Sequence, residues 1–418
     1  MHVAYIHQHF CTPQGSAGTR SYEMSQCLLR AGHRVSMICG VNDATVHVLG
    51  RSGGVHEREI DGIHVYVIDE PYSNKMGFWR RIMAFGNFAR KAARIVSRLD
   101  ADLVLATSTP LTVGVPGMKG ARRLGVPFVF EVRDLWPEGP IAVGALRNPL
   151  LIWYAQRLEQ RLYHAADHLI ALAPGIREGI LRRGVPSEKI TLVPNGADLD
   201  LFTPRDEPLD DPRFGSASDF KLVFTGAHGL INGLDAVLDA AAELLRRGEG
   251  GIRFVFIGDG NQKQRLMERS RAEETERMIS WLPFMPKQEL ARVLPRMNTG
   301  LMILQNLQMV QYATSPNKFF DYLSSGLPVI NNYPGWLADM IQEHRCGIVV
   351  PPDDPQAFAD AVVWLRDHRA EARELGRRGR RLAEARFSRP VLGAAFVRAL
   401  ETAYANGRRN RGHESPAP

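Results

Sequence analysis

Cysteine is scarce in this chain: four in 418 residues, at Cys11, Cys27, Cys39 and Cys346. None sits in a CxxC pair or at a zinc-ligand interval from a histidine, so neither a disulfide framework nor a structural zinc site is indicated, and four reduced thiols are expected. No apolar run reaches the ~18 to 20 residues that cross a bilayer, so any membrane contact is peripheral. The N-terminus has no cationic or apolar leader before the strand-like stretch His2 to Ile6, which predicts a cytoplasmic protein. The 38 glycines and 26 prolines follow no fixed period, which excludes a collagen-like chain. The full GxGxxG spacing of a dinucleotide site is missing. So is any Asp or Glu between Pro71 and Leu99.

What is present has the proportions of a folded protein, 44% hydrophobic and 23% charged, and the length suits two domains at roughly 100 to 200 residues each. Strand-like runs at 3–6, 35–39, 65–68, 103–106, 127–132 and 168–172 alternate with helix-like stretches, notably 19–30 and 150–165. A break at Val193-Pro194-Asn195-Gly196 and a Pro-, Asp-, Gly- and Ser-rich stretch from Phe202 to Asp219 precede a second series. It holds strands at 221–225, 253–258, 300–304, 328–331 and 347–350 and helices near 234–247, 318–325 and 355–366. The expectation is an α/β fold of two Rossmann-like domains facing across a cleft. The boundaries are a first domain over 1–198, a linker over 199–219 and a second domain over 220–385. A C-terminal helix over 386–405 packs back towards the first domain, and a disordered tail covers 406–418.

The first strand runs into Thr12-Pro13-Gln14-Gly15-Ser16-Ala17-Gly18-Thr19, and a helix begins at Thr19 or Arg20. Glycines there let backbone amides approach a phosphate, and the helix N-terminus adds partial positive charge, although a plain strand-to-helix turn uses the same residues. Gly226-Ala227-His228-Gly229-Leu230-Ile231-Asn232-Gly233 holds the equivalent place in the second half, and Gly258-Asp259-Gly260 closes another strand. The most informative segment runs from Ser315 to Ile330. Pro316 and Asn317 start a helix whose first turn holds Lys318, where a cation is unfavourable unless an anion is bound. Asp321, three residues on, shares a face with it. The lysine suits phosphate and the carboxylate suits sugar hydroxyls; the same spacing also makes an i,i+3 surface pair.

The segment from Ser315 to Ile330 resembles the donor-binding signature of retaining glycosyltransferases of family 4, which have the GT-B fold. Val193 to Asp198 resembles the family's Asn-Gly-Val-Asp loop. Gly15 to Glu23, Gly32-His33-Arg34-Val35 and Glu131 to Glu138 resemble one subgroup, the WbuB-like enzymes of bacterial surface-polysaccharide assembly. The resemblance implies a donor diphosphate between the two glycine loops, with Lys318 on the diphosphate and Asp321 on the ribose. Gly15, Gly18, Thr19, Arg20, Gly226, His228, Asn232, Gly258, Pro316 and Asn317 complete the candidate donor set. The family's Glu eight residues before its ribose-binding acid is Ala313 here, and its Arg and Lys of the second glycine loop give way to His228 and Asn232. Arg20 and Arg133 are the candidates to supply the missing positive charge.

Asp134 is the candidate to orient an acceptor hydroxyl, with Arg133 where the family often has histidine; Lys318, Asp134 and Arg133 form the candidate catalytic set. Cleaving a glycosyl phosphate leaves growing negative charge on a diphosphate, which preorganised cations and helix N-termini stabilise. The resemblance implies no metal or other cofactor. Asp198-Leu199-Asp200 reads formally as a DxD metal motif but belongs to the Asn-Gly-Ala-Asp loop, and His7-Gln8-His9 lacks a third ligand.

Seven basic residues lie between Pro71 and Leu99, which equals the whole net charge of +7. On a helical wheel Phe78, Ile82, Phe85, Ala89, Ala92, Val96 and Leu99 form an apolar stripe, with Trp79, Arg80, Arg81, Met83, Arg90 and Lys91 towards the basic side. That mixture suits the interface of an anionic membrane, at about 1 kcal/mol per basic residue near the surface, and an ordinary solvated helix flank is the other reading. No nucleic-acid-binding motif accompanies the charge. The expected function is transfer of a sugar from a nucleotide-diphosphate donor to a polyprenyl-diphosphate-linked saccharide, at the inner face of the plasma membrane, in O-antigen, capsule or exopolysaccharide synthesis. A UDP-N-acetylhexosamine or deoxyhexosamine is the donor favoured by the subgroup. A GT-B sugar-nucleotide epimerase and a non-catalytic sugar-nucleotide sensor are the alternatives.

Overall fold

Two sheets organise the chain. The computed structural model describes residues 1–412 apart from 16–17, 42–44, 52, 71–75, 143, 145, 206 and 308–310, and omits the side chains of a few others, Trp79 and Arg81 among them. In the first half the strands are β1 (His2–Ile6), β2 (Arg34–Gly40), β3 (Val55–Ile60), β4 (Ile63–Ile68), β5 (Leu103–Thr107), β6 (Phe128–Val132), β7 (His168–Ala171) and β8 (Ile190–Leu192), in the order β3-β4-β2-β1-β5-β6-β7-β8. The second half has β9 (Phe220–Thr225), β10 (Ile252–Ile257), β11 (Ile279–Leu282), β12 (Thr299–Met302), β13 (Val329–Asn331) and β14 (Gly347–Val349), in the order β11-β10-β9-β12-β13-β14.

Strands covered by helices on both faces have no solvated side, so they appear as continuous apolar runs; Val3 to Ile6 and Leu103 to Ala106 are buried throughout. The exception is β3, charged, largely exposed and antiparallel to β4. It was not expected from the sequence, although Asp61-Gly62 announces it. Both residues have positive φ, +48° and +81°, the geometry of a two-residue hairpin turn. β8 and β11 were also unforeseen, being short runs of three and four residues.

In each sheet a central strand has neighbours reached in opposite directions: β1 lies between β2 and β5, and β9 between β10 and β12. Such switch points leave a crevice beyond the strands' carboxyl ends, where α/β sheets bind ligands. The chain divides into two compact units, one of Met1–Pro194, Ala313–Ser315 and Pro390–Pro418, the other of Asn195–Tyr312 and Pro316–Arg389. The helix Arg389–Gly412 brings Phe396 to 6.4 Å from the Tyr5 ring and Glu401 to 3.1 Å from His33. That helix continues through residues 406–412, where composition had suggested disorder; residues 413–418 lie outside those described.

Candidate active site

In the second unit, the helix Asn317–Ser324 lies against the sheet, with Phe319, Phe320, Tyr322 and Leu323 fully buried. The Tyr322 hydroxyl accepts the Thr225 backbone N–H at the carboxyl end of β9 (3.0 Å), which sets where the first turn of the helix stands. Lys318 in that turn is half-buried, and burial pushes its ammonium down to about 7. Its Nζ sits 3.6 Å from the centroid of the Phe224 ring, beside Gly226. It makes no hydrogen bond or ion pair among the described residues. Pro316 is the N-cap, without a side-chain cap bond, and Asn317 is exposed beside Lys318.

Asp321 is buried one turn further on, and burial raises its carboxyl against the pull of Lys287 and Arg389. Lys287 Nζ is 3.9 Å from Asp321 and 3.3 Å from Asp198, which Arg389 also reaches at 3.3 Å. Lys287 and Arg389 thus form a brace that the sequence reading missed, because neither lies near Asp321 in the chain. Asp198 of the formal DxD is held in these two ion pairs, and among the described residues no group of three or more His, Cys, Asp or Glu is placed to hold a metal ion.

The two glycine loops of this unit pack on each other. A Cβ on Gly258 would stand 1.9 Å from the Gly226 carbonyl oxygen, so glycine is required there for packing. His228 is a correction to the expected donor set. Its side chain is fully buried between Phe224, Phe256 and Trp281, with neither ring nitrogen hydrogen-bonded among the described residues, and burial lowers it to about 4. It is a neutral packing residue, whose ring cannot supply the charge of the family's missing Arg and Lys. Asn232 donates its side-chain amide to the Ala227 carbonyl (2.7 Å) and thereby closes its own loop.

In the first unit, Gly15 closes a turn by donating to the Thr12 carbonyl (2.9 Å), and Gly18 and the buried Thr19 lead into the helix Arg20–Arg30. Ser16 and Ala17 lie outside the described residues. Arg20 is the second correction. Its guanidinium is buried and donates twice to Glu131 (3.0 and 2.8 Å), to the Pro194 carbonyl (2.6 Å) and to the Val193 carbonyl (2.8 Å). It therefore ties β6 to the end of the first domain and is not aimed at a ligand. Burial opposes ionisation of Glu131, yet Arg20, Arg133 and the Thr107 hydroxyl together hold it below the usual carboxylate range.

Arg133 stays half-buried at the carboxyl end of β6 and donates to His7 Nε2 (3.2 Å), while His7 Nδ1 meets the Ser21 hydroxyl at 2.5 Å. Burial, and then Arg133, push His7 well below its ordinary value, so it is neutral, with Nε2 accepting and Nδ1–H donating to Ser21. Burial and Arg133 likewise bring His9 down to about 4. Asp134 is exposed and accepts from the Thr109 hydroxyl (2.8 Å). The structure thus gathers His7, Arg133 and Arg20 around the switch point of the first sheet, and Lys318, Gly226 and Gly258 around that of the second.

Against known proteins, residues 15–196 match the Glycosyl transferase 4-like domain and residues 219–368 the Glycosyl transferases group 1 domain. The GDP-mannose-dependent alpha-mannosyltransferase of Mycobacterium tuberculosis is 26% identical over 317 residues, 74% of this chain and 75% of that protein. The chain is a glycosyltransferase. The putative colanic acid biosynthesis glycosyltransferase WcaL of Escherichia coli K12 is 21% identical over 204 residues, so this glycosyltransferase spans about half (48%) of that relative's length. The crystal structure of Anabaena HepE in complex with UDP-glucose has a TM-score of 0.72, covering 96% of this chain and 100% of that one at 15% identity. The fold is GT-B.

The basic segment of the glycosyltransferase is the helix Phe78–Val96. Its buried stripe is Ala84, Phe88, Ala92 and Val96, which shares only Ala92 and Val96 with the expected one; Ile82, expected in it, is 40% exposed, and Met83, expected on the basic side, is 60% exposed. Four-residue steps alone keep one face on the neighbouring helix Gly114–Leu124, whereas the expectation alternated fours and threes. Lys91, expected on the basic face, pairs with Glu70 at 2.7 Å and remains partly exposed. Arg80 and Arg90 are exposed; the side chains of Trp79 and Arg81 lie outside the described residues. Sequence reasoning missed Leu150, Trp153 and Tyr154, which are 77%, 61% and 62% exposed on the helix Pro149–Ala165, with Arg157 over the Trp153 ring at 5.9 Å. Their i, i+3, i+4 spacing was legible, but only the fold shows that this face is left uncovered. No helix among the described residues is long and apolar enough to cross a membrane.

Proposed function

We propose that this glycosyltransferase takes a sugar from a nucleoside-diphosphate donor, with retention at the anomeric carbon, and moves it to a lipid-linked saccharide in surface-polysaccharide synthesis at the inner face of the plasma membrane. The observation that carries the donor reading is Lys318, a half-buried cation in a helix's first turn with no counter-ion among the described residues. A diphosphate supplies what that site lacks and restores the charged form. HepE was solved with UDP-glucose, and the mycobacterial relative is named as dependent on GDP-mannose. The WbuB-like motifs favour a UDP-N-acetylhexosamine or deoxyhexosamine among such donors.

In the step proposed, the bond from the anomeric carbon to the diphosphate oxygen breaks, the acceptor oxygen bonds to that carbon on the same face, and its proton passes to the departing phosphate. Lys318 and the helix N-terminus stabilise the negative charge that develops. Asp321 takes the nucleotide ribose, the Gly226 and Gly258 loops approach the diphosphate, and Asp134 orients the acceptor hydroxyl with Arg133 beside it. Support for the membrane surface comes from Arg80, Met83 and Arg90 on one helix and Leu150, Trp153 and Tyr154 on another, an aromatic and cationic mixture that suits a lipid interface.

The test is a thermal-shift panel of UDP-, GDP- and dTDP-sugars followed by assay of nucleoside diphosphate with and without a lipid-linked acceptor. One nucleotide series should stabilise the chain, and diphosphate should appear only with acceptor. Release without acceptor would indicate an epimerase, and binding without release a sensor. For the membrane surface, Trp153→Ser with Tyr154→Ser should weaken sedimentation with anionic vesicles; unchanged binding would remove that part of the reading.

A further inference from the structure

The amino ends of the second sheet carry a cavity of ≈ 460 Å³ that no step above uses. Its floor is the start of β9 at Phe220 and Lys221, the residues before β12 at Met297 and Asn298, and Gly326 to Pro328 before β13. The donor residues Gly226 and Gly258 follow the opposite, carboxyl ends of strands in the same sheet, so the two places lie at opposite edges. Eight lining side chains are basic and two, Glu207 and Asp219, are acidic.

Several of the basic groups have structural partners. Arg380 donates to the carbonyls of Leu199, Phe202 and Ser324 and to Glu384. Arg377 and Arg381 share Glu374, and Arg296 reaches Glu207. Four cations remain without a carboxylate within 4.0 Å among the described residues, Arg205, Lys221, Arg369 and Arg373, and the last three are the ones set at the start of β9 and on a single helix. Arg369 and Arg373 are one helical turn apart on the helix Arg369–Leu382, in its first two turns, where the helix dipole disfavours cations. Arg369 lies over the Phe220 ring at 5.4 Å.

Lys221 is 2% exposed, and among the described residues its Nζ has one acceptor, the Ser216 carbonyl at 2.5 Å. Burying an ammonium with a single hydrogen-bond partner is costly; the carboxylate of Asp219 in the same wall offsets part of that cost, and an anion in the cavity would offset more. The size is that of a small-molecule site. Besides the cations, the wall offers apolar surface from Pro204, Leu209, Met297 and Leu327.

We propose that this cavity is a second anion site, which binds a ligand carrying a diphosphate, held by Lys221, Arg369 and Arg373, with an organic body against the apolar wall. Three cations match the roughly three negative charges of a diphosphate monoester at neutral pH. A soluble nucleoside diphosphate and a lipid-borne diphosphate share this chemistry. The ligand would also sit at the far end of the donor helix, whose first turn carries Lys318 and whose end leads into the wall at Ser325 and Gly326.

The site is tested apart from the donor site by calorimetric titration of the full chain, in Lys318→Ala, with UDP and with farnesyl diphosphate. Binding of either should survive in Lys318→Ala and fall about tenfold or more on adding Arg369→Ala and Arg373→Ala; the ligand bound more tightly identifies the source. Lys221→Met, which removes the buried charge without leaving a void, should lose the same binding while its melting temperature holds or rises. Absence of both ligands from Lys318→Ala, or unchanged binding in all the cavity variants, would overturn the proposal. Because the two arginines are exposed, circular dichroism should show an unaltered fold.

Discussion

Arg20 and Lys318 occupy similar places, each in the first turn of a helix beside a switch point, yet their surroundings differ in kind. Arg20 has Glu131 and two carbonyls, all from its own unit, so its charge is neutralised before any ligand arrives. Lys318 has the face of Phe224 and, among the described residues, no acceptor. A buried cation with a complete set of partners holds the fold together. One without them is a stored requirement for an anion, and the depressed ammonium of Lys318 is the electrostatic sign of it.

The comparison breaks most sharply at Arg20. Arg20→Met leaves the Glu131 carboxylate buried without its main counter-ion, and about 3 to 5 kcal/mol of stability should be lost in urea unfolding. Arg20→Met combined with Glu131→Met should recover most of it; a single variant as stable as the parent would mean that the ion pair does not hold the fold. Lys318→Ala should do the reverse, lowering kcat by ~100- to 1000-fold, about 2.7 to 4 kcal/mol, with the melting temperature held or raised. Diphosphate release and thermal melting check both halves of that statement.

The pH response sharpens the contrast. Between about 7 and its unfolded value of 10.5 the Lys318 side chain binds fewer protons folded than unfolded, so through this group stability rises with pH across that window in the absence of donor. Donor binding reverses the preference for the neutral form. At pH 8 it should take up close to one proton, and affinity should fall as pH rises above 7; calorimetry in buffers of different ionisation heat measures the uptake, which Lys318→Arg should abolish. Asp321→Asn should give the smallest effect, about a tenfold rise in donor KM with kcat within about threefold, because it removes one neutral-to-charged hydrogen-bond partner and leaves the Lys287, Arg389 and Asp198 pairs in place.

Much of the fold was legible beforehand. Alternating apolar runs and helical periods marked most of the strands, since strands buried on both faces are largely apolar, Glu131 in β6 and Lys221 in β9 being charged exceptions. β3 escaped because an edge strand is charged, and the stripe of the helix Phe78–Val96 was only half assigned: Ala92 and Val96 were in it, whereas Ala84 and Phe88, which complete the packed face, were not. At the site, the segment from Ser315 to Ile330 stood out because local rules conflict there, a cation being placed at a helix start. The roles of Arg20, His228 and Lys91 were not legible. Arg20 meets a glutamate 111 residues away, Lys91 one 21 residues away, and His228 is enclosed by rings from β9, β10 and β11.

By itself the sequence determined the two tandem α/β series, the glycine loops at their strand ends and the unusual lysine, all of which depend on residues close together in the chain. Tertiary structure alone decided which charges are neutralised. The energy of a buried ion depends on every group brought within a few ångströms of it, and those groups come from distant segments that only the folded topology brings together.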